Sequence, residues 1–271
     1  MLTGTRFLLA ATAVLCSLAA SCGSDDADGT STTVAASAVD SPGPAAITGD
    51  INVFAAASLA AAYTEIGEAF MVDHPDADVM FNFAASSDLV AQITQGAPAD
   101  VFASADEANM SKLTDAGGNA GDPRVFATNS LQIIVEPGNP KGITGVADLA
   151  ESDVLYVTCA PEVPIGKYAA QVLANAGVTA TPVSFEENVK GIVTKVTLGE
   201  ADAGIVYRTD VSAAGAEAEG VDIPADINVQ ASYPIIATAE AGNPAGAAAF
   251  IDLVLSEQGQ KILDSYGFGA P

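Results

Sequence analysis

Histidine occurs once in this 271-residue chain, at His74, and that narrows the available chemistry. A Ser–His–acid triad could draw only on His74, and no Gly-x-Ser-x-Gly turn presents a serine nucleophile. His74 lies in "VDHPDADV" beside Asp73, Asp76 and Asp78. Their spacing matches no metal-ligand pattern, and the acidic, Pro-containing stretch reads as a surface loop between a helix and a strand. No Gly-rich phosphate loop of the Walker or dinucleotide type is present. The sequence instead places small hydroxyl or apolar residues where strand-like runs give way to helical ones. These joints are Ser58 in "AAASLAAAY", Ser86 and Ser87 in "FNFAASSDLV", Ile165–Gly166 in "PIGKYAA" and Asn188–Val189 in "ENVKGIV". Ser58 and Ser87, each ahead of a helical run, read first as helix caps. Four such joints together have a second reading. Helix N-termini carry unpaired N–H groups and the positive end of a dipole, a setting that suits an anion with no lysine or arginine required.

The overall charge opposes an anion. Nine basic residues face 34 acidic ones, for a formal net charge of -25. Such a surface repels phosphate backbones and anionic membranes, which argues against nucleic-acid binding. An anionic ligand must then be held by local dipoles against an unfavourable field. Lys167 and Lys190 adjoin two of the joints and read as solvated surface lysines; Asp88, just inside a helix start, reads as a complement to its dipole.

The elements that must position these joints alternate from Ile51 onward. "INVFAAAS", "DVMFNFAAS" and "ADVFASA" are strand-like, and a helical pattern follows each, as with Ala62, Ile66, Ala69 and Phe70 after the first. "NSLQIIVEPG", the run ending "DVLYVTCAP", "DAGIVYRTD" and "ASYPIIATAE" add strands. "PIGKYAAQVLANAG", "ENVKGIVTKVTLGE" and the region "PAGAAAFIDLVLSEQGQKILDSYGF" add helices, with Gly96 and Gly177 as stops. Strand–helix alternation with short connections predicts parallel βαβ units and an α/β class, whose ligands bind at the carboxyl ends of strands. With hydrophobic residues at 49% of the chain, one large domain or two lobes can each have a core.

Residues 1–21 read as a secretory signal, with Arg6 ahead of the apolar run "FLLAATAVLCSLAAS". "LAASC" resembles the lipobox of bacterial lipoproteins, with Ala19 where Leu is usual, and this implies a lipid on Cys22 and anchoring to the cell membrane. Residues 22–50 are rich in Gly, Ser, Thr, Asp and Ala and are predicted to be a disordered tether. Removal of Cys16 with the signal and lipidation of Cys22 would leave Cys159 as a lone cysteine, read as a small buried apolar side chain.

The segments "VFAAASLAAAYTEIGEAF", "FNFAASSDLVAQITQGAPADVFASADEANM", "PEVPIGKYA", "ENVKGIVTKVTLGEADAGIVY" and "SYGF" resemble the periplasmic molybdate-binding protein family, the substrate-binding component of a molybdate ABC importer. The resemblance runs from Ile51 to Phe268, and "QGAPADVFASAD" is its most specific part. It implies a two-lobed, type II periplasmic-binding-protein fold, each lobe a mixed, mostly parallel sheet flanked by helices. Residues 51–129 with 236–271 would form the first lobe and 130–235 the second, with hinge crossings at "NSLQIIV" and "SYPIIAT". It also implies an oxyanion held by neutral donors alone: hydroxyl and N–H of Ser58 and Ser86, N–H of Ile165 and Val189, and hydroxyl of Tyr207. Ile165 stands where the family more often has Ala, and "TCAPEVP" departs from the commoner "DPEHVP". On this resemblance Ser86 meets the ligand while Ser87 starts the helix. Molybdate or tungstate is the expected ligand, with the molybdenum reached only through its oxygens, no cofactor and no catalysis. A membrane permease is the expected partner and a monomer the expected state. Sulfate, phosphate or another oxyanion is the alternative ligand, and a non-transport sensor or an enzyme on the same fold is the rival class.

Overall fold

The computed structural model describes residues 46–271; the predicted signal segment, Cys22 and most of the predicted tether lie outside the described residues. The first strand starts at Gly49, so Gly49 and Asp50 belong to the sheet and not to the tether. Strand β1 (Gly49–Ala56) lies between β2 (Ala77–Ala84) and β3 (Val101–Ala103) and is parallel to both. Helices cover both faces of this sheet, so the inner residues Val53–Ala56 are buried without alternation and "VFAA" is a continuous apolar run. At the sheet edge, β2 starts in alternation, with Ala77 and Val79 buried and Asp78 and Met80 exposed.

Two further strands close this half. Strand β9 (Gln230–Ala237) runs antiparallel to β3 and to the first part of β4 (Arg124–Val135). Pro234 has no N–H for the ladder and is tolerated beside an irregularity between Val125 and Ala127. At Leu131, β4 leaves this sheet. Its second part pairs antiparallel with β7 (Ala203–Tyr207) on one side and β8 (Glu219–Asp222) on the other. Strand β7 continues parallel to β5 (Tyr156–Cys159), and β5 to β6 (Ser184–Glu186). The strand order is β2-β1-β3-β9-β4-β7-β5-β6, with β8 beside β4, so two sheets share one long strand. Sequence alternation pointed to parallel units, and each lobe has them. The antiparallel pairs all involve β4 or β9, the strands next to the crossings. The reading missed the short strands β6 and β8, in which charged and small residues replace an apolar run.

On one face of the first sheet pack α1 (Ala60–Asp73), α7 (Pro244–Leu255) and α8 (Glu257–Ser265), around Tyr63, Phe70, Phe126 and Phe250. Helices α2 (Ser86–Thr94) and α3 (Glu107–Asp115) cover the other face through Leu89, Val90, Met110 and Leu113, which pack with Phe54, Phe102 and Ile236. The second sheet carries α4 (Pro164–Asn175), α5 (Val189–Thr197) and the short α6 (Arg208–Ala214). Gly96 and Gly177 close their helices at φ 95° and 66°, backbone that a Cβ disfavours. Among the described residues no helix is long and apolar enough to cross a membrane.

Candidate functional site

The five site residues expected from the resemblance, Ser58, Ser86, Ile165, Val189 and Tyr207, line one cavity between the two sheets. All five are buried, at 7%, 1%, 1%, 4% and 1% exposure respectively. The cavity leaves about 20 Å³ for the centre of a water molecule. A cavity of this size takes only a small ligand. Its lining contains no charged side chain; Ser58, Ser86, Asn188 and Tyr207 are its only polar ones.

The local sequence explains why donors point inward. A short 3-10 turn, Ala57–Leu59, leads into α1 beneath Ala56, which has no side-chain cap to offer. Helix α2 starts beneath Ala85 and α4 beneath Val163, again without a side-chain cap. At α5 the Asn188 side chain accepts from Lys190 N–H at 3.0 Å, which leaves Val189 N–H uncapped. Residues of four helix starts therefore line one cavity, and orphan first-turn donors with the positive ends of helix dipoles favour an anion there. Pro164 occupies the first turn of α4 without wasting a donor. Gly166 is required there, because a Cβ would lie 2.2 Å from the Ala160 carbonyl oxygen at the end of β5.

The serines are not caps. Ser86 is the first helical residue and Ser87 the second, so the position expected of Ser87 is held by Ala85. Ser86 Oγ accepts the Ala105 N–H at 3.0 Å, which leaves its own proton free to donate. Ser58 Oγ lies 3.1 Å from Tyr233 Oη, so a phenol proton given to Ser58 likewise frees the serine hydroxyl for the cavity. Tyr207 Oη is buried with no hydrogen-bond partner, a state that costs free energy unless something fills the cavity. Burial first, then the neighbouring Tyr233, Tyr168 and Asp210, pushes the Tyr207 phenol well above its ordinary range. It is therefore a permanent donor.

Beneath the site, Asp210 holds the Tyr207 N–H at 3.3 Å. Burial raises the Asp210 carboxyl, and Lys190 opposes that shift from 2.8 Å. Lys190 is thus half-exposed but paired, contrary to the reading of a merely solvated lysine, and Lys167 likewise meets Asp106. Asp88 is exposed in the first turn of α2 and does not line the cavity. Cys159 is buried, and its thiol is pushed up to about 12 by burial, then by Glu186 and Asp210. His74 ends α1 with its ring 4.5 Å from that of Phe70, and no cluster of metal-ligating side chains is found among the described residues. Sequence reasoning missed Tyr233 and Ala105, the partners of the two serine hydroxyls. Tyr233 is 175 positions from Ser58 and Ala105 is 19 from Ser86, and no local pattern links either pair.

Two α/β lobes with a small, donor-lined cavity between them define a two-lobed solute-binding protein. The chain belongs to the bacterial extracellular solute-binding protein family, whose model matches residues 51–269. Among its relatives is the molybdate-binding protein ModA of Mycobacterium tuberculosis, 42% identical over 229 residues that cover 84% of this chain and 88% of that protein. The fold is similar to that of the Azotobacter vinelandii periplasmic molybdate-binding protein, with TM-score 0.70 at 22% identity over 82% of this chain and 99% of that one. It is also similar to the sulfate-binding protein SubI of Mycobacterium tuberculosis, with TM-score 0.74 at 20% identity over 81% and 86%. These two likenesses concern the fold alone.

Proposed function

We propose that this protein captures molybdate, and tungstate with it, between its lobes outside the cytoplasm and delivers it to an ABC permease, without catalysis and as a monomer. The observation that carries the reading is the buried, partnerless Tyr207 hydroxyl of a residue that lines one charge-free cavity, together with three helix starts that have no side-chain cap and a fourth whose Asn188 cap spares Val189 N–H. Ser58, Ser86 and Tyr207 would donate hydroxyl protons, and Ser58, Ser86, Ile165 and Val189 backbone protons. A dianion taken from water needs all of these bonds, and charge makes each stronger than its neutral counterpart. The same site disfavours hydrogen phosphate, whose proton needs an acceptor: the Asn188 oxygen is already engaged and no carboxylate lines the cavity.

Residues 51–129 with 236–271 form one lobe in this reading and 130–235 the other; the change of sheet by β4 at Leu131 supports a hinge there. Closure about this hinge engages the donors of both lobes, and the closed form is what the permease recognises. Cys22 would carry the lipid anchor, and detergent-phase partitioning lost in Cys22→Ala tests this. Calorimetric titration with molybdate, tungstate, sulfate and phosphate tests the ligand. Tight binding of the first two and none of phosphate is expected; sub-micromolar sulfate binding with no response to molybdate overturns the reading.

A further inference from the structure

Eight ion pairs occur among the described residues, and one joins the lobes. Lys167 Nζ of α4 lies 3.7 Å from Asp106 Oδ2, at the start of α3. The side chain of Asp106 is only 2% exposed, that of Lys167 48%. Oδ1 of Asp106 caps α3, accepting from Asn109 N–H at 3.0 Å and Asn109 Nδ2 at 2.9 Å. Among the described residues Oδ2 accepts no hydrogen bond, and the Lys167 ammonium is the one cation within ion-pair distance of it.

The placement ties this pair to the cavity. Lys167 is two residues beyond Ile165 on the same turn of α4. Asp106 follows Ala105, whose N–H holds Ser86 Oγ. Tyr168, next to Lys167, is buried, and its phenol is raised by burial and then by Asp106 and Glu107 of the other lobe. The motion that carries Ile165 N–H to the ligand must also carry Lys167 to Asp106.

We infer that Lys167 and Asp106 form a cross-cleft latch that sets how long the closed, ligand-holding state lasts. The inference rests on the proposed two-lobe capture of an oxyanion. Affinity scales with the population of the closed state, so a contact made only on closure tightens binding without touching ligand. The latch makes Asp106 act against its own charge. A carboxylate near an anion site repels the anion, so neutralising it should tighten binding by its field alone, whereas loss of the latch should weaken it.

Asp106→Asn keeps an acceptor for the α3 cap and decides between these signs. Molybdate binding is measured by calorimetry, and release by stopped-flow on tyrosine fluorescence. The latch predicts an affinity about threefold to fivefold weaker, as for a partly exposed ion pair, carried by faster release. Lys167→Met weakens binding equally, Lys167→Arg restores it, and the double variant is no weaker than either single one. Affinity in Asp106→Asn equal to or tighter than wild type overturns the latch, as does additivity in the double variant. If Asp106→Asn does not fold, Lys167→Met decides, and unchanged release overturns the latch. If wild type binds none of the four oxyanions, the functional reading falls separately. The latch is then judged in ligand-free protein from interlobe distances between spin labels. A smaller closed population in Asp106→Asn supports it; equal populations overturn it.

Discussion

Helices α3, α7 and α8 begin beneath side chains that accept a first-turn N–H: Asp106 from Asn109, Asn243 from Gly246, Ser256 from Gly259. The helices that open onto the cavity begin beneath Ala56, Ala85 and Val163, none of which can accept one. Asn188 is the partial exception, since it takes Lys190 N–H and spares Val189. Both groups follow the same helix physics, with orphan donors at every N-terminus. In one group a side chain satisfies them once and permanently. In the other, the residue that would do so is replaced by a small apolar one, and the hydroxyls sit one or two positions later, facing the cavity. What distinguishes a binding helix from a structural one here is a first-turn donor left for the cavity, by a missing cap at three helices and by a cap that spares Val189 at the fourth.

The largest expected effect removes the shifted hydroxyls. Ser58→Ala combined with Ser86→Ala should lower molybdate affinity by about a thousandfold, from two hydrogen bonds to a charged partner at roughly 1.5–3 kcal/mol each. Calorimetry reads this directly, and unchanged affinity would show that the hydroxyls serve only Tyr233 and Ala105. Tyr207→Phe should cost at least about tenfold on the same scale. Its effect on the ligand-free protein runs the other way. Because the phenol there has no partner, deleting its oxygen should leave the melting temperature unchanged or raise it. A variant less stable and no weaker in binding would remove Tyr207 from the site.

The opposite pattern is expected at a capped helix. Ser256→Ala removes the acceptor for Gly259 N–H at 3.2 Å and should destabilise the fold by about 1 kcal/mol, read by denaturant unfolding. Molybdate affinity should be unchanged, since α8 packs on α1 and α7 and contributes nothing to the cavity. A loss of affinity here would break the separation between the two groups of helices.

The separation was only half legible in the sequence. Strand–helix alternation and apolar periodicity located the joints, because those patterns are local. The resemblance supplied the residues that meet across the cleft, which periodicity could not, since Ser58 follows β1 of one sheet and Tyr207 ends β7 of the other. Cap and ligand donor could not be told apart locally either. A serine at a strand–helix joint serves both purposes, and a shift of two residues, with Ala85 and not Ser87 ahead of the helix, decides between them. The partners of Lys167 and Lys190 were invisible for a similar reason: half-exposed lysines look solvated until the buried aspartate beneath them is located.

The smallest expected effect is a null one, and it concerns pH. The capped group includes a carboxylate, Asp106, whereas the only titrating side chain that lines the cavity is Tyr207. Its phenol is held well above its ordinary range by burial, so the donor set is the same at pH 6 and pH 9. Molybdate affinity should be flat across that interval, and a break within it would mean that an ionisable group has been overlooked. The limit lies at the alkaline end and falls on the fold. Burial raises Tyr63, Tyr207 and Tyr233 in the folded state, so the native protein keeps protons that the unfolded chain loses near pH 10. The unfolded state then binds fewer protons than the native one, and stability falls as pH rises. The contribution of these phenols is complete below about pH 10 and declines above it. Thermal melts at pH 8, 9.5 and 11 should therefore agree at the first two values and drop at the third. Saturating molybdate should raise the melting temperature at all three values, because it binds the native state alone.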